Sequence, residues 1–534
     1  MSFHSPFPDV EIPDTSVYEY LFGGLNEADA GHVALVDGVN GIELSYRELV
    51  RRVEAFAGAL AQRGIGVGDV VGVLSPNSAA FAVAFHGVLA AGATATTINV
   101  LYTADEIAKQ FSDSKPRLLI TIERLRPHAA EAAALAGLLE LDVLVLDGED
   151  AVMPTEGARP EVDFDPATHV AVLPYSSGTT GNFKGVMLTH RNLVANTAQL
   201  RPLARTGPAE TLTAVIPFFH SYGLTALLCG ALSGRSRLIV MPAFDLAEFL
   251  ANIQNYRCTQ AYIVPPVAVA LAKHPIVDAF DLSSLHTLTS AAAPLDEELA
   301  KAVATRLDCR IVQAYGMSEL SPASHVIPPD GGQDSLGMIA PLSSCGWTVP
   351  NSESKIIDID SGHEIQVPAE GLSEAGELCF RGPNVMAGYL GNEEATAQTI
   401  DDDGFLHTGD MARVDSSGCV YIVDRLKELI KYKGYQVPPA ELEALLLSHP
   451  GIADAAVVGA IDQDSGEEIP KAFVVAQPDA ILSDDDITDF VAGKVAPYKR
   501  IRQVEFIAAI PKSPTGKILR NVLRSRHSVL GRTP

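Results

Sequence analysis

The sequence predicts an α/β protein: a large N-terminal domain of parallel sheets with covering helices, plus a small mobile C-terminal α+β domain. At 534 residues the chain is too long for one hydrophobic core. Short apolar runs alternate with amphipathic helical patterns through most of it, which is typical of parallel sheets. After Gly404 the pattern changes to hairpin-like strands and a lysine-rich segment. We therefore expect domains at residues 1–425 and 426–534.

The elements of the first domain follow from apolar spacing and capping residues. Ser45 can cap a helix over 45–64, whose apolar residues recur at three- and four-residue steps. Two alanine-rich stretches, 79–91 and 129–141, predict further helices, and the helix at 129–141 is expected on the surface. Short apolar runs bounded by turn residues predict buried strands. These strands are expected at 70–74, 96–100, 118–122 and 170–173.

The elements after Gly404 are predicted in the same way. The segments F-L-H-T-G-D-M-A-R and D-S-S-G-C-V-Y-I-V-D-R form a hairpin-like pattern with a glycine in the turn. A helix is expected at 438–447 and strands at 453–459 and 471–476. The piece from 426 to 534 has the size of a small α+β domain.

Composition excludes several classes of function. The chain has 39 basic and 66 acidic residues, a formal charge of −27, and such a field repels nucleic acid and anionic membranes. No segment reaches the roughly 18 apolar residues of a membrane span. The six cysteines form no C-x-x-C pair, which fits a reducing compartment. The N-terminus shows no signal-peptide pattern and the C-terminus no peroxisomal signal, so a cytoplasmic location is expected.

A glycine- and hydroxyl-rich loop, Y-S-S-G-T-T-G-N-F-K-G at 175–185, follows the strand predicted at 170–173. Its glycines let the backbone approach a ligand closely, and its hydroxyls and lysine suit a polyphosphate. The spacing of a Walker loop is absent. The expected phosphate contacts are Ser176, Ser177, Gly178, Thr179, Thr180 and Lys184.

The loop resembles the phosphate-binding signature of the adenylate-forming enzymes, which include acyl-CoA synthetases, 4-coumarate–CoA ligases, luciferases and peptide-synthetase adenylation domains. It departs at Asn182 and Phe183, where the family usually has an apolar residue and proline. Further motifs cover nearly the whole chain, and segments 102–110 and 426–436 are most similar to the 4-coumarate–CoA ligase branch. The resemblance implies that a carboxylic acid attacks the α-phosphate of ATP, and that the thiol of CoA then displaces AMP.

The segment Q-A-Y-G-M-S-E at 313–319 carries the next part of the resemblance. It implies that Tyr315 stacks on adenine, that Ser318 contacts the α-phosphate, and that Glu319 binds Mg²⁺, which neutralises phosphate charge. The segment S-A-A-A-P at 290–294 is similar to the backbone that lies along the adenine. Further nucleotide contacts implied by these two segments are Ala292, Gln313 and Ala314.

Ribose and hinge contacts are implied by the motifs that follow. Asp410, in H-T-G-D, would accept hydrogen bonds from both ribose hydroxyls, and Arg425 would donate another. Lys427 matches the family's hinge, and rotation there would present a second face of the small domain. That face carries the contacts implied for AMP, the acyl-adenylate and CoA, namely Lys431, Lys433, Gly434 and Gln436.

Lys517, in P-K-S-P-T-G-K, matches the lysine that bridges the acid's carboxylate and the α-phosphate. Because it belongs to the small domain, adenylation would require that domain to close on the large one. His220, in P-F-F-H-S-Y-G-L, would flank the acid's carboxylate. The residues expected to take part in catalysis are Thr180, His220, Glu319 and Lys517.

The acid is expected to lie against Tyr222, Ala226 and Ala291, which match pocket positions of the family. Ala291 and Ala314 stand where relatives often have glycine, and each added methyl narrows a packed pocket. A narrow slot favours a planar aromatic acid such as a hydroxycinnamate. A medium- or long-chain fatty acid is the alternative.

Three other functions share parts of this pattern. A domain that loads an amino acid onto a carrier protein usually has an aspartate after an aromatic residue, whereas His220 follows Phe219 here. A luciferase-like oxygenase shares the motifs, and light emission with a luciferin would identify it. A non-catalytic scaffold would have lost charges at the site. The charged residues are all present, namely Lys184, Glu319, Asp410, Arg425 and Lys517.

Overall fold

The structure is a computed structural model that describes residues 2–138, 141–148, 151–154, 156–177, 183–433, 435–462, 468–478, 480–513 and 516–530. Of the expected contacts, Gly178, Thr179, Thr180 and Gly434 lie outside these residues. Ser176 and Ser177 are described in their backbone alone.

Two large sheets form the centre of the described chain, and their inner strands run parallel, as the sequence predicts. Antiparallel strands flank the parallel ones. The first sheet contains Val70–Leu74, Thr94–Thr97, Leu118–Thr121, Asp142–Val145, Val170–Val172, Tyr175–Ser177, Phe183–Thr189 and Gly388–Tyr389. The second contains Val33–Asp37, Glu43–Ser45, Thr211–Ala214, Arg237–Val240, Gln260–Ile263, Thr287–Ser290, Arg310–Gly316, Ala323–Val326 and Trp347–Thr348.

A third sheet is entirely antiparallel, and the expectation of parallel sheets did not include it. Only some of its neighbouring strands are joined by short turns, as in the hairpin of Leu406–Val414 and Val420–Arg425, and no regular alternation of strand and helix predicts it. It contains the predicted hairpin after Gly404. Its strands are Phe3–His4, Glu353–Ile357, Glu364–Ile365, Gly376–Arg381, Leu406–Val414 and Val420–Arg425.

Helices cover these sheets. The helix Tyr46–Gln62 begins after Ser45, which forms a capping box with Glu48, so its predicted start is confirmed. The predicted strand 96–100 is in fact Thr94–Thr97, and the predicted helix 129–141 is Arg126–Leu135, with three of its alanines buried. The other longer helices are Ala79–Ala90, Ala104–Ser114, His190–Leu200, Leu246–Tyr256, Pro265–Lys273, Glu297–Leu307 and Glu393–Thr399. No helix in the described ranges is long and apolar enough to cross a bilayer.

The C-terminal part has its own buried clusters. One is built around Ile430, Leu442 and Val457, whereas the clusters of the preceding chain end at Ile422. We therefore keep residue 425 as the proposed end of the large domain. The elements of this part are strands Ile430–Tyr432, Tyr435–Val437, Ile452–Ile461, Glu468–Ala476 and Gln503–Phe506, and helices Pro439–Leu447, Asp484–Ala492 and Arg520–Leu530.

The helix Pro265–Lys273 of the large part contacts the small part at both of its ends. At its C-terminal end, Lys273 donates to the carbonyls of Leu447 and Ile452, at 3.5 and 3.3 Å. At its N-terminal end, a Cβ on Gly516 would lie 3.2 Å from Pro266. One helix thus fixes where the small part sits.

A buried ion pair stabilises the small part. Arg520 donates to both carboxylate oxygens of Glu443 at 2.7 Å, and both side chains are nearly inaccessible. Replacing Arg520 by methionine leaves the Glu443 charge buried and unpaired, so we expect a loss of about 3 kcal/mol of unfolding free energy. Urea unfolding of the two proteins measures this difference in unfolding free energy. The exposed pair of Arg47 and Glu27 is the control, and Arg47→Met should leave stability unchanged. Equal effects of the two substitutions would contradict the assignment.

Candidate active site

The two ends of the glycine-rich loop are fixed by a strand pair. Strand Tyr175–Ser177 runs antiparallel to Phe183–Thr189, with Lys184 opposite Ser176. The Tyr175 hydroxyl donates to Asp113 at 2.6 Å. On the returning strand, the Lys184 ammonium lies 4.4 Å from the ring centroid of Tyr389. The strand pair therefore places this cation beside one particular aromatic ring.

The same tyrosine orients Glu319. Its hydroxyl donates to one carboxylate oxygen of Glu319 at 3.0 Å, and Glu319 is only 5% exposed. No described residue donates to the second oxygen of this carboxylate. A fixed carboxylate with a free oxygen, close to the strand that follows the glycine-rich loop, fits the oxygen ligand that Mg²⁺ requires. Sequence reasoning missed Tyr389, because it lies in a separate segment.

Asp410 is positioned by the antiparallel strands Leu406–Val414 and Val420–Arg425, which set it opposite Arg425. Its Oδ2 accepts a hydrogen bond from the Tyr315 hydroxyl at 2.6 Å, and its Oδ1 lies 3.4 Å from Arg425 Nε. Burial, together with the Asp410 charge, raises the pKa of Tyr315 well above its ordinary value. Tyr315 therefore stays a protonated donor, and three motifs distant in sequence meet at one carboxylate.

Glu377 holds the H-T-G-D segment of strand Leu406–Val414, a contact that no motif in the sequence predicted. Its Oε1 accepts from the Gly409 amide at 3.0 Å, and its Oε2 accepts from His407 Nδ1 at 2.9 Å. This hydrogen bond raises the pKa of His407. Because 30 residues separate the two side chains, no local spacing could have linked them.

Gln313 supports the adjoining segment through its side-chain amide. It donates to the Leu295 carbonyl at 3.2 Å and accepts from the Leu295 amide at 2.9 Å. Between Leu295 and the preceding strand lies Ala292, whose φ of +73° is left-handed. An L-residue adopts that conformation at a cost of about 1 kcal/mol. The amide of Gln313 is thus occupied by the backbone that carries Ala292.

A cavity of about 70 Å³ opens beside these groups. Among the described residues that line it none carries a charged side chain, and most are apolar. It is therefore suited to the uncharged, apolar body of a ligand. Its walls include the predicted acid contacts Tyr222, Ala226 and Ala291, the predicted nucleotide contacts Ala292, Ala314 and Tyr315, and His220.

His220 is neutral at physiological pH. Burial lowers its pKa to about 4, and the charge of Lys517 acts in the same direction. Its Nδ1 accepts from the Tyr222 amide at 3.3 Å, which assigns the proton to Nε2. His220 is therefore suited to donate a hydrogen bond rather than to supply a cation. Next to it, the hydroxyl oxygens of Ser221 and Ser318 lie 3.4 Å apart.

Lys517 comes from the small part yet lies among these groups of the large part. Burial lowers its pKa to about 8; Arg425 acts in the same direction, whereas Asp410 opposes the shift. The adjoining Gly516 has a φ of +77° and packs against Pro266, a close approach that suits glycine. The structure thus brings Lys517, Asp410, Arg425 and His220 together.

The lysine-rich segment at 426–436 lies away from the cavity. Lys431 and Gln436 face each other across the hairpin of strands Ile430–Tyr432 and Tyr435–Val437. Lys433, at its turn, has a φ of +49°. These three side chains are exposed, as is Lys427, and the structure does not bring any of them to the cavity.

Comparison with known proteins identifies similar chains. The family model for AMP-binding enzymes matches residues 26–390, and the model for their C-terminal domain matches residues 441–517. A probable 4-coumarate–CoA ligase of Dictyostelium discoideum is 41% identical, over 98% of this chain and 97% of that protein. ATP-bound MatB from Rhodopseudomonas palustris superposes with a TM-score of 0.86 at 27% identity, covering 97% of this chain and all of that one. An anthranilate CoA ligase in complex with anthranoyl-AMP gives the same TM-score and identity, covering 97% and 98%.

The depressed pKa of Lys517 gives a measurable prediction. As pH rises through about 8, this amine should lose its proton and become reactive, well below the ordinary lysine value. Bound ATP should move that midpoint upward, because phosphate oxygens favour the charged form. Trace acetylation read by mass spectrometry across pH follows each lysine. Lys301, whose pKa is raised by Glu298 and Glu297, is the control. An acetylation midpoint for Lys517 at the ordinary lysine pKa, unchanged by ATP, would contradict the burial of Lys517 beside Arg425 and Asp410.

Proposed function

The chain belongs to the AMP-binding enzyme family, and on that premise we propose that it is an ATP-dependent carboxylic acid–CoA ligase. The enzyme forms a carbon–sulfur bond in two steps. The acid's carboxylate first displaces pyrophosphate from the α-phosphate of ATP, giving an acyl-adenylate. The CoA thiol then displaces AMP.

The observation that carries this proposal is the convergence at Lys517. The lysine is contributed by the small part, lies beside Asp410 and Arg425, and lowers the pKa of His220 on the cavity wall. A cation placed between a ribose-binding carboxylate and an acid-binding cavity can hold two anions, the carboxylate and the α-phosphate, in contact. This is what the first step requires.

The remaining charged groups have complementary roles in that step. Lys184 and the glycine-rich loop bind the phosphates, and Asp410 with Arg425 binds the ribose hydroxyls. Glu319 holds Mg²⁺, which when bound neutralises charge on the phosphate oxygens. His220, neutral and with its proton on Nε2, donates to the acid's carboxylate. Since catalysis of phosphoryl attack is mostly electrostatic, placement of these charges is the main contribution of the protein.

The second step would use the other face of the small domain. Lys517 then leaves the site, and the exposed hairpin with Lys431, Lys433 and Gln436 approaches the nucleotide and CoA. Lys427, exposed and just beyond the sheet that carries Arg425, is the proposed hinge. A cationic hairpin suits the phosphates of CoA, which the overall charge of −27 would otherwise repel.

The substrate we propose is a planar aromatic acid of the hydroxycinnamate class, with a medium- or long-chain fatty acid as the alternative. The cavity is apolar and no charged side chain lines it among the described residues, which disfavours dicarboxylic acids and amino acids. The relatives named above include enzymes for 4-coumarate and anthranilate. Pyrophosphate release across aromatic and fatty acids, with and without CoA, tests the proposal. If none of the acids in the panel caused pyrophosphate release, the proposal would be refuted.

Lys517→Ala should separate the two steps. Because Lys517 acts in adenylation alone, we expect pyrophosphate release to fall by at least about a hundredfold, the scale of a lost transition-state contact. Thioester formation from a supplied acyl-adenylate should remain largely intact. The exposed Lys494 of the same domain is the control, and Lys494→Ala should change neither step. An equal loss in both steps would contradict the two-conformation assignment.

Glu319→Gln tests the metal assignment. The amide keeps the size and the bond from Tyr389 but removes the charge, so the Mg²⁺ concentration for half-maximal pyrophosphate release should rise at least about tenfold. Glu248→Gln, at an exposed glutamate on a helix, is the matched control. An unchanged Mg²⁺ dependence would show that Glu319 is not a metal ligand.

A further inference from the structure

Three tyrosines line the acid cavity, and the hydroxyls of two of them are committed to the protein. The Tyr222 hydroxyl donates to the carbonyl of Thr289 at 3.1 Å, and the Tyr315 hydroxyl donates to Asp410 at 2.6 Å. Neither is available to orient the body of a bound acid without breaking an existing hydrogen bond.

Tyr262 is different. It is 6% exposed, and its ring centroid lies 5.9 Å from that of Tyr222. Its hydroxyl forms no hydrogen bond with any described residue, and burial raises its pKa to about 12 with no charged neighbour contributing. The cavity therefore contains a neutral hydroxyl, able to donate and to accept, without a partner in the protein.

The described protein supplies no partner for this hydroxyl, and the hydroxyl is not sealed from solvent. A ligand that filled the cavity without offering a partner would leave the hydroxyl unpaired, which is costly, so a ligand that brings a partner is favoured. Where a site is built to hydrogen-bond a substrate hydroxyl, analogues that lack it are rejected strongly, because the protein group then stays unpaired.

The strand register supports the same conclusion. Tyr262 is paired with Thr289 on the neighbouring parallel strand, so both side chains lie on one face of the sheet, and both line the cavity. That part of the wall is polar but uncharged, since no charged side chain among the described residues lines the cavity and the His220 imidazole there is neutral. The group it recognises should therefore be a neutral oxygen on the acid, away from the carboxylate.

Resting on the proposed function, we propose that Tyr262 is a specificity-determining residue whose hydroxyl binds a hydroxyl on the ring of the aromatic acid. Within the hydroxycinnamate class already proposed, Tyr262 would then select the acids whose ring oxygen lies within its reach.

Tyr262→Phe removes one oxygen and keeps the ring, so it tests this directly. Pyrophosphate release is measured without CoA for cinnamate and for 2-, 3- and 4-hydroxycinnamate. In the unmodified enzyme, one hydroxy isomer should exceed cinnamate in kcat/KM by at least about tenfold. In Tyr262→Phe that isomer should lose most of its advantage, whereas cinnamate should change by less than about twofold, which also shows that the variant folds. Tyr256→Phe, at a tyrosine outside the cavity, is the control.

Two results would overturn the proposal. One is an undiminished advantage of the hydroxy isomer in Tyr262→Phe. The other is a native enzyme that activates cinnamate at least as well as every hydroxy isomer. Both leave ligase activity intact, so they are distinguishable from failure of the proposed function, in which no carboxylic acid would release pyrophosphate.

Discussion

The site depends on one partly desolvated cation that the large domain does not contain. Lys517 belongs to the small part, and burial lowers its pKa to about 8 where it meets Arg425 and Asp410. Holding its charge there is unfavourable in the free protein, because burial and Arg425 together outweigh the attraction of Asp410 and Glu428. A bound phosphate or carboxylate would add attraction. On the proposed function, closure of the small domain and binding of the nucleotide would therefore be coupled, and each would stabilise the other.

The rest of the site is a set of supports that keep neighbouring charges in place. Tyr315 holds Asp410 from one sheet while the Gly409 turn is held by Glu377 from another. Tyr389 fixes Glu319 and lies under Lys184. In each case the supporting side chain is held by the strand that carries it, so the charged group it contacts should need little reorganisation when a ligand binds.

Local signals in the sequence were sufficient for much of the fold. Strand Val70–Leu74 matches its predicted bounds, and the cap at Ser45 sets the start of its helix. The antiparallel third sheet was missed as a whole, because it combines strands from both ends of the large part and has no regular strand–helix alternation. The helix predicted at 129–141 ends at Leu135, since alanine content marks a helix better than it marks its end.

Residues of the candidate site could be predicted only where they belong to a contiguous sequence motif. The glycine-rich loop, Y-G-M-S-E, H-T-G-D and the terminal P-T-G-K are such motifs, and the geometry brings Tyr315, Asp410 and Lys517 together. Glu377 and Tyr262 are positioned by neighbouring strands of their own sheets, and those strands are distant in sequence. A single side chain in an ordinary strand has no spacing that reveals such a contact.

The central claim, that Lys517 must enter and leave, is tested most directly by locking the closed arrangement. A Cβ on Gly516 would lie 3.2 Å from Cγ and Cδ of Pro266, so the two backbones approach closely and cysteines at these two positions can be tested for a disulfide between the domains. We expect the oxidised double variant to release pyrophosphate and retain acyl-adenylate, but to form thioester with CoA only after reduction. Steady thioester production by the oxidised enzyme would contradict the account.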